Sequence, residues 1–567
     1  MLDSTVLIVG AGPTGLALAC DLRSRGISTL VVEKLREPPT TTRALGVQPR
    51  GRQILGRLGV LKDLNAEAVP QGDVDIFVEG QRSVQLRFDA FREESNEGVL
   101  RVPQTAIERM LRQRLEQLGA EVLFGWEIVQ ASDSGMEVTA IFRSADGEKK
   151  LIAEWLVGCD GAHSTCRKIM NVDFEGSAFP TTFLLADVRL DWVKKEGAAI
   201  YLRKGQVLTL GSLASGMWRV GVALPADDPI AKYGEGVMTA DRTRNSVSLE
   251  DGLKRLQELF AAYSGDSVTK LHDPTWCSIF RIHRRMASAF RRGRMLIAGD
   301  AAHLSSPLGG QGMNSGLGDS FNLGWKLAMV VHGLASEQLI DTYEGERRPA
   351  TAKIEHATTT WTNVLLGIGP LNKFLRRYIA LPLMRLSVIQ RWVLTSRQSL
   401  QSSYRGGPLA RTGRSALVTR PLHRGPQPGD LAPDIECIRA KDATPTRIGE
   451  EVGICWGLLI FGPSDDRAKE LMFAARNRLS PDLRVLRALS LNETAPSSSE
   501  EILVLDTRGA LKRIYKSVPG TAILIRPDGY VGWRSKTCDV KSMLKWLDSS
   551  LLPPKTVLQT VVGTFAQ

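Results

Sequence analysis

Thr5-Val-Leu-Ile-Val9-Gly10-Ala-Gly12-Pro13-Thr-Gly15 begins with a short apolar run and ends in a glycine turn. The run Thr5 to Val9 has the pattern of a buried strand. Leu16 to Arg25 reads as a helix that Gly26 ends, and Thr29-Leu-Val-Val-Glu33 reads as the next strand, with a carboxylate at its tip. A bare G-x-G-x-x-G recurs by chance, so the context carries the weight: strand before, helix after, acid at the end of the second strand. The glycines permit a tight turn and let the backbone approach a pyrophosphate at the helix N-terminus. Glu33 can accept hydrogen bonds from a ribose diol. The stretch predicts a dinucleotide site at Gly10, Gly12, Gly15 and Glu33, and an α/β fold on a Rossmann-like parallel sheet.

Two later stretches repeat the arrangement. Trp155-Leu-Val-Gly-Cys-Asp160-Gly161-Ala-His-Ser164-Thr-Cys-Arg167 is an apolar strand that ends in Asp-Gly and turns into a short helix. Arg294-Met-Leu-Ile-Ala-Gly299-Asp300-Ala-Ala-His303-Leu-Ser-Ser-Pro307-Leu-Gly-Gly310-Gln-Gly312-Met313-Asn314 is a strand, a carboxylate, a glycine-lined loop and a helix start. A helix N-terminus offers free N–H groups and partial positive charge, which suits an anion or a ring that becomes anionic. Three strand ends with glycine-acid chemistry are much harder to ascribe to chance than one.

The rest of the chain bounds the reading. At 567 residues it is too long for one ordinary core. Its 43% hydrophobic and 24% charged residues are those of a globular protein. The net charge of +12 invites a nucleic-acid partner, but the basic residues are dispersed among 61 acidic ones. No basic stripe with interleaved aromatics is present, so nucleic acid is excluded as the partner. The densest basic run, Arg281 to Arg294, is either a solvated or structural segment or an attractor for an anionic cosubstrate. Seven cysteines show no C-x-x-C pair and no metal-ligand spacing, which implies reduced thiols, a cytoplasmic location and no metal site. No apolar run is long enough to span a bilayer.

Arg43, after a Thr-rich turn, reads either as a contact to a phosphate or ring edge or as a solvated arginine. Gln104, at the start of a helix expected over 105–118, reads either as a cofactor contact or as a helix-start residue. Short alternating runs between 183 and 278 predict an inserted antiparallel sheet, broken by a loop and helix around 226–264. It could cover the ring end of a cofactor. Phe183, Tyr201 and Trp218 within it are pocket candidates, with core packing the stronger reading for each. Residues 398–427 are rich in Ser, Arg, Gly and Pro and read as a linker. Strand-like runs from 428 to 550, with a turn at Arg526-Pro-Asp-Gly529, predict a separate small α/β unit. The expected division is therefore 1–182 and 279–397 for the cofactor domain with its closing helices, 183–278 for the inserted sheet, 398–427 for the linker and 428–550 for the last unit.

The three motifs, in this order and spacing, resemble the FAD-dependent aromatic hydroxylases, the phenol-hydroxylase-like branch of single-component flavoprotein monooxygenases. The resemblance covers about residues 4 to 400. It implies FAD as cofactor and NADPH or NADH as cosubstrate. Gly10, Gly12, Pro13, Gly15, Glu33 and Lys34 fall at the adenosine-diphosphate site it implies. Asp160 and Arg167 match the Asp-Gly motif tied to both FAD and the nicotinamide. Gly299, Asp300, Pro307, Gly310, Gly312, Met313 and Asn314 match the Gly-Asp motif, whose aspartate meets the ribityl and pyrophosphate part. Arg43 and Gln104 fall where the family places flavin contacts, and Tyr343 to Pro349 looks like its closing segment. The tail resembles the thioredoxin-like C-terminal domain of the same branch, but without C-x-x-C it has no redox exchange to perform, and a structural or dimer contact is implied.

The activity implied is hydroxylation of an aromatic, phenolic or polyketide-like metabolite with O₂, through a flavin hydroperoxide. The N-terminus at Gly312–Asn314 would stabilise charge on the ring edge, the inserted sheet would exclude water, and a base would help to deprotonate a phenol. No residue is identified as that base. His303 is a candidate, with a structural role in its motif the stronger reading. Epoxidation or Baeyer–Villiger oxygenation of a polycyclic metabolite is an alternative on the same scaffold, and a flavin-binding scaffold protein without turnover is the non-enzymatic one.

Overall fold

The run at the chain's start forms the strand Ser4–Val9, in which Val6, Leu7 and Ile8 are fully buried. It lies inside an eight-stranded sheet with the path Arg291–Arg292, Met295–Ile297, Gly147–Gly158, Ser4–Val9, Thr29–Glu33, Val122–Phe124. The four pairings from Met295–Ile297 across to Val122–Phe124 are parallel. Val138–Ser144 adds antiparallel to Gly147–Gly158, and Glu127–Asp133 to Val138–Ser144. Parallel strands covered on both faces read as continuous apolar runs rather than alternating ones, as Ser4–Val9 does from Val6 on, Met295–Ile297 throughout and Gly147–Gly158 over its last four residues. Ser4–Val9 is followed on one side by Thr29–Glu33 and flanked on the other by Gly147–Gly158. That reversal of strand order opens a crevice at the carboxyl ends, where such sheets bind ligands.

This computed structural model describes residues 2–551 apart from 41–44, 70–71, 87–97, 193, 195, 204–205, 214–215, 226, 232–246, 306–309, 367–368, 387, 391–402, 411–424, 464, 480–481, 491–492 and 494–500. Arg43, Pro307 and most of the expected linker 398–427 lie outside the described residues.

The second sheet has eight strands, in the order His303–Leu304, Leu271–Ala287, Phe174–Leu190, Met217–Ala223, Gln206–Ser212, Ala198–Arg203, Val74–Val78, Gln81–Leu86. It is antiparallel except between Ala198–Arg203 and Val74–Val78. The sheet is larger than the segment 183–278 expected for it. Its two long strands reach back to Phe174 and on to Ala287, and residues 74–86 supply an edge. Arg281, Arg284 and Arg285 break the apolar alternation and hide the strand, yet they pair in its ladder with Thr182, Ser177 and Gly176. One face packs on the helix Leu249–Ser264, and Tyr201 and Trp218 belong to that core. Phe183 is on the other face beside Phe280, their ring centroids 6.0 Å apart, in a cluster with Leu381 and Met384.

The C-terminal unit is a seven-stranded sheet in the order Thr444–Arg447, Glu436–Arg439, Ile502–Leu505, Leu483–Leu489, Trp456–Phe461, Ala522–Ile525, Val531–Ser535. Only the pairs joining Ile502–Leu505, Leu483–Leu489 and Trp456–Phe461 are parallel. Its core is continuous with the first domain. Trp325 and Met329, on the helix Gly312–Val331, share one cluster with Trp456, Trp533 and Trp546. The Trp325 and Trp456 rings meet edge to face at 5.4 Å. Within the expected linker, the described stretch 403–410 is packed into this junction: Tyr404 and Leu409 are buried, and Tyr404 stacks on Tyr530 at 4.1 Å. Composition reads as a linker there because two anchoring side chains do not alter a Ser/Gly/Arg/Pro-rich stretch.

Candidate cofactor and active site

The three motif loops leave adjacent parallel strands, Met295–Ile297, Gly147–Gly158 and Ser4–Val9, at their carboxyl ends. They interlock there. Gly10 has φ +106°, and a Cβ on it would lie 2.4 Å from the Cys159 carbonyl oxygen. Gly299 has φ +64°, and a Cβ on it would lie 2.6 Å from Thr14 Oγ1. Both positions need glycine for conformation and for close approach.

Two helix N-termini open beside these loops. The helix Pro13–Ser24 starts from Gly12 and the helix Gly312–Val331 from Gln311, and neither has a side-chain cap or an acidic residue in its first turn. A Cβ built at Gly12 or at Gly312 meets nothing within 4 Å. Among the described residues, then, both helix starts lack a side-chain cap and have room beside their glycine, which suits a pyrophosphate at one and a charge-bearing ring edge at the other. Such a helix-end interaction contributes ~0.3–1 kcal/mol when exposed and ~2 kcal/mol when partly buried. Glu33 is half-buried, and its carboxylate accepts the Ala11 N–H at 2.9 Å and the Leu35 N–H at 3.0 Å. Those bonds orient it and leave acceptor sites for a ribose diol. The donor set and the open cradles fit FAD.

The remaining expected residues fall into three groups. Pro13 and Met313 are half-buried in the first turns of the two helices, and Lys34 is exposed beside Glu33. Asp300 is exposed on the short turn Gly299–Ala301. Gly310, also exposed, has φ +61° and gives its carbonyl to Asn314 Nδ2 at 2.8 Å. The others are engaged within the protein. Asp160 accepts the Ser164 hydroxyl at 2.5 Å and the Cys166 N–H at 3.0 Å, capping the helix Thr165–Ile169. Buried Arg167 donates to the Ala301 carbonyl at 2.8 Å and the Ala162 carbonyl at 2.9 Å, strapping two motif loops together. Asn314 accepts the Gln48 N–H at 2.8 Å and donates to the Gly46 carbonyl at 3.0 Å. Gln104 begins the helix Gln104–Gln117 and donates to Glu108 at 2.8 Å.

The loop Gly299–Ala302 also joins the two large sheets: Met295–Ile297 belongs to the first and His303–Leu304 to the second. A second link is Arg101, which pairs with Gly46 and donates to Ser212 Oγ at 3.2 Å on the second sheet. The second sheet is therefore anchored directly beside the candidate ring site.

A buried network behind the loops is absent from the sequence reading. Asp319 accepts the Gly299 N–H at 2.9 Å and Arg347 Nε at 2.6 Å, and lies 2.7 Å from His303 Nε2. Burial alone would raise its carboxyl; His303 and Arg347 outweigh burial and hold it at about 2. His303 is itself buried, which fits its structural reading. A signal for this network did exist. Asp319, Asn322 and Lys326 recur at helical spacing in an otherwise apolar helix, and buried polar groups need partners.

Comparison with known proteins agrees with this geometry. A family described as FAD binding domain matches residues 3–358. The chain is 33% identical to 6-methylpretetramide 4-monooxygenase of Streptomyces rimosus, over 97% of this chain and 94% of that protein. It is also 33% identical to a rifampicin monooxygenase of Rhodococcus hoagii, over 74% of this chain and 83% of that one. Among solved structures it matches the OxyS anhydrotetracycline hydroxylase of Streptomyces rimosus with a TM-score of 0.73 at 27% identity, over 97% and 99% of the two chains. Aklavinone-11 hydroxylase, solved with FAD and aklavinone, shares the fold with a TM-score of 0.75 at 24% identity, over the same shares. The crevice with two uncapped helix ends, the interlocked glycine loops and these matches agree: the chain belongs to the FAD binding domain family and is an FAD-dependent monooxygenase.

Proposed function

We propose that the chain hydroxylates an aromatic, polyketide-like small molecule, using NADPH or NADH and O₂. The observation that carries this is the loop Gly299–Ala302, which passes from the cofactor sheet into the second sheet and so sets a ring site against a wall that could cover a substrate. Two of the relatives are named for oxygenation of 6-methylpretetramide and of rifampicin. FAD when bound supplies the redox chemistry, taking electrons from the nicotinamide and activating O₂.

The chain's own residues do the following. The N–H groups of Gly12, Thr14 and Gly15 would hold the pyrophosphate, and Glu33 would hold the adenosine ribose, with Lys34 beside it. The N–H groups at Gly312–Asn314 would donate to a negatively charged ring edge, and Asn314 ties the strand Gly46–Val47 and the adjoining Gln48 to that helix start. Asp300, exposed on its turn, would meet the ribityl and pyrophosphate part. Asp160 and Arg167 shape the loop that the nicotinamide approaches. The second sheet excludes water. His303 keeps Nε2 on Asp319 and supports the loop rather than the substrate. A homodimer, a thioredoxin-like description of the C-terminal unit and a cytoplasmic location belong to the same proposal. All seven cysteines are free thiols, and among the described residues no helix is long and apolar enough to cross a membrane.

The test is the visible spectrum of the purified protein under anaerobic conditions, before and after NADPH, with a panel of phenolic and polycyclic compounds. Faster bleaching with one compound, and ¹⁸O from labelled O₂ in a hydroxylated product, is the expected result. A product carrying the label in an epoxide or a lactone would replace hydroxylation with one of those oxygenations. A colourless protein that FAD cannot reconstitute overturns the cofactor assignment.

A further inference from the structure

The turn Arg526-Pro-Asp-Gly529 of the C-terminal unit enters the first domain behind the helix Gly312–Val331. Arg526 and Asp528 are almost wholly buried there. Arg526 donates to both Glu346 oxygens, at 2.5 and 2.9 Å, and through Nε to Asp528 at 3.0 Å. Asn322 donates to Glu346 at 2.9 Å and to Asp528 at 3.2 Å. Lys326 completes the cluster, 2.8 Å from both Glu346 and Asn322. The turn's backbone is held as well. Arg57 donates to the Pro527 carbonyl at 3.1 Å, and Arg50 donates to that of Asp528. Both arginines belong to the helix Pro49–Arg57, whose N-cap residue Gln48 is bound to Asn314.

The cluster leads to the ring site through one covalent step. Glu346 receives the turn, and its neighbour Arg347 binds Asp319 and donates to the Ser315 carbonyl at 3.0 Å. Asp319 in turn holds Gly299 and contacts His303. Tyr404 closes the circuit: its hydroxyl accepts from Arg347 at 3.1 Å while its ring stacks on Tyr530, next to the turn. Buried charges in a low-dielectric interior hold one another in a single geometry, and an uncompensated one is costly. The turn therefore constrains the starts of two helices and the loop between the large sheets.

We infer that Arg526 is a positioning residue for the flavin: the C-terminal unit, through the Arg526–Glu346 pair, sets the geometry of the loop Gly299–His303 and the helix start at Gly312. This rests on the reading of that loop as the flavin site. It assigns the C-terminal unit a part in flavin binding through a turn that lies behind the helix Gly312–Val331.

The test compares two fully buried arginines of the same unit. Arg487 pairs with Glu501 and donates to the Gly462 carbonyl at 3.1 Å, all within the C-terminal unit. Arg526→Lys and Arg487→Lys each keep the charge and lose the planar fork, so they perturb stability in the same way and fold more readily than truncations do. Full-length apoprotein is titrated with FAD, and flavin absorbance, midpoint potential and Tm are read for the wild type and both variants. The expected result is a lowered Tm for both variants. Only Arg526→Lys raises the FAD Kd, tenfold or more, and shifts the flavin band and potential. An Arg526→Lys protein with Kd within twofold of wild type and an unchanged potential refutes the inference. Equal weakening of FAD binding by Arg487→Lys also refutes it, because the effect would then be general destabilisation. Wild-type protein that binds no FAD refutes the flavin reading itself.

Discussion

Replacing Asp319 with asparagine tests the network where it touches the cofactor loop. The side chain keeps its shape and loses its charge. Wild-type Asp319 serves three partners: Gly299 N–H at 2.9 Å, His303 Nε2 at 2.7 Å and Arg347 Nε at 2.6 Å. An amide has one oxygen, so at least one of these contacts becomes donor against donor. The carboxyl sits at about 2 instead of its ordinary 3.8. At about 1.36 kcal/mol per pH unit, that lowering corresponds to ~2 kcal/mol in favour of the charged form. Removing one partner of a buried ion pair costs about 3–5 kcal/mol. The amide still accepts one bond, which sets the expected loss near 3 kcal/mol. The assay is urea unfolding of the apoprotein at pH 7, with the midpoint shifted and the slope unchanged. The pH dependence supplies a second arm. A carboxyl lowered by folding contributes stability above its unfolded value and loses it as pH falls through its folded value. The gap between wild type and variant should therefore close between pH 3.8 and about 2. A loss below ~1 kcal/mol at pH 7, or a gap that does not change with acid, would refute the reasoning.

Three further outcomes are expected. Gly10→Ala combines an unfavourable φ with a 2.4 Å approach to the Cys159 carbonyl, so its flavin-to-protein ratio should fall at least tenfold; full flavin occupancy would be incompatible with the interlocked loops. Glu33→Ala removes the acceptor for the ribose and for the Ala11 N–H, so titration of the apoprotein should show the FAD Kd raised about 10- to 100-fold, and a change within twofold would show that the carboxylate does not meet the cofactor. Lys326 is pushed down to about 8 by burial, against the pull of Glu346. Its folded value is below its unfolded one, so between pH 8 and 10.5 the unfolded chain binds the extra proton and stability rises with pH. The stability of wild type relative to Lys326→Met should rise by about 3 kcal/mol across that window, and a constant difference would contradict the assignment.

The glycine turns and the three apolar strands were legible because each is written in consecutive residues. A strand that must be buried on both faces is apolar throughout, and a turn that must approach another backbone is glycine. Tyr201 and Trp218 followed their core reading for the same reason. The extent of the second sheet was only partly legible, because arginines at 281, 284 and 285 interrupt the alternation without leaving the ladder. The strands 74–86 join it from a distant part of the chain, which no local period reports.

By itself the sequence determined the parallel sheet, its three glycine-acid loops and a dinucleotide site, since each follows from local period and local backbone freedom; FAD in particular came from the family resemblance. The tertiary structure decided which side chains those loops rest on. Lys326 carries a local sign of burial in its apolar helix, but nothing local marks Glu346 and Arg526, since charged residues ordinarily face water. They are buried because three segments far apart in sequence bring compensating charges to one place, and only that meeting makes their burial affordable in free energy.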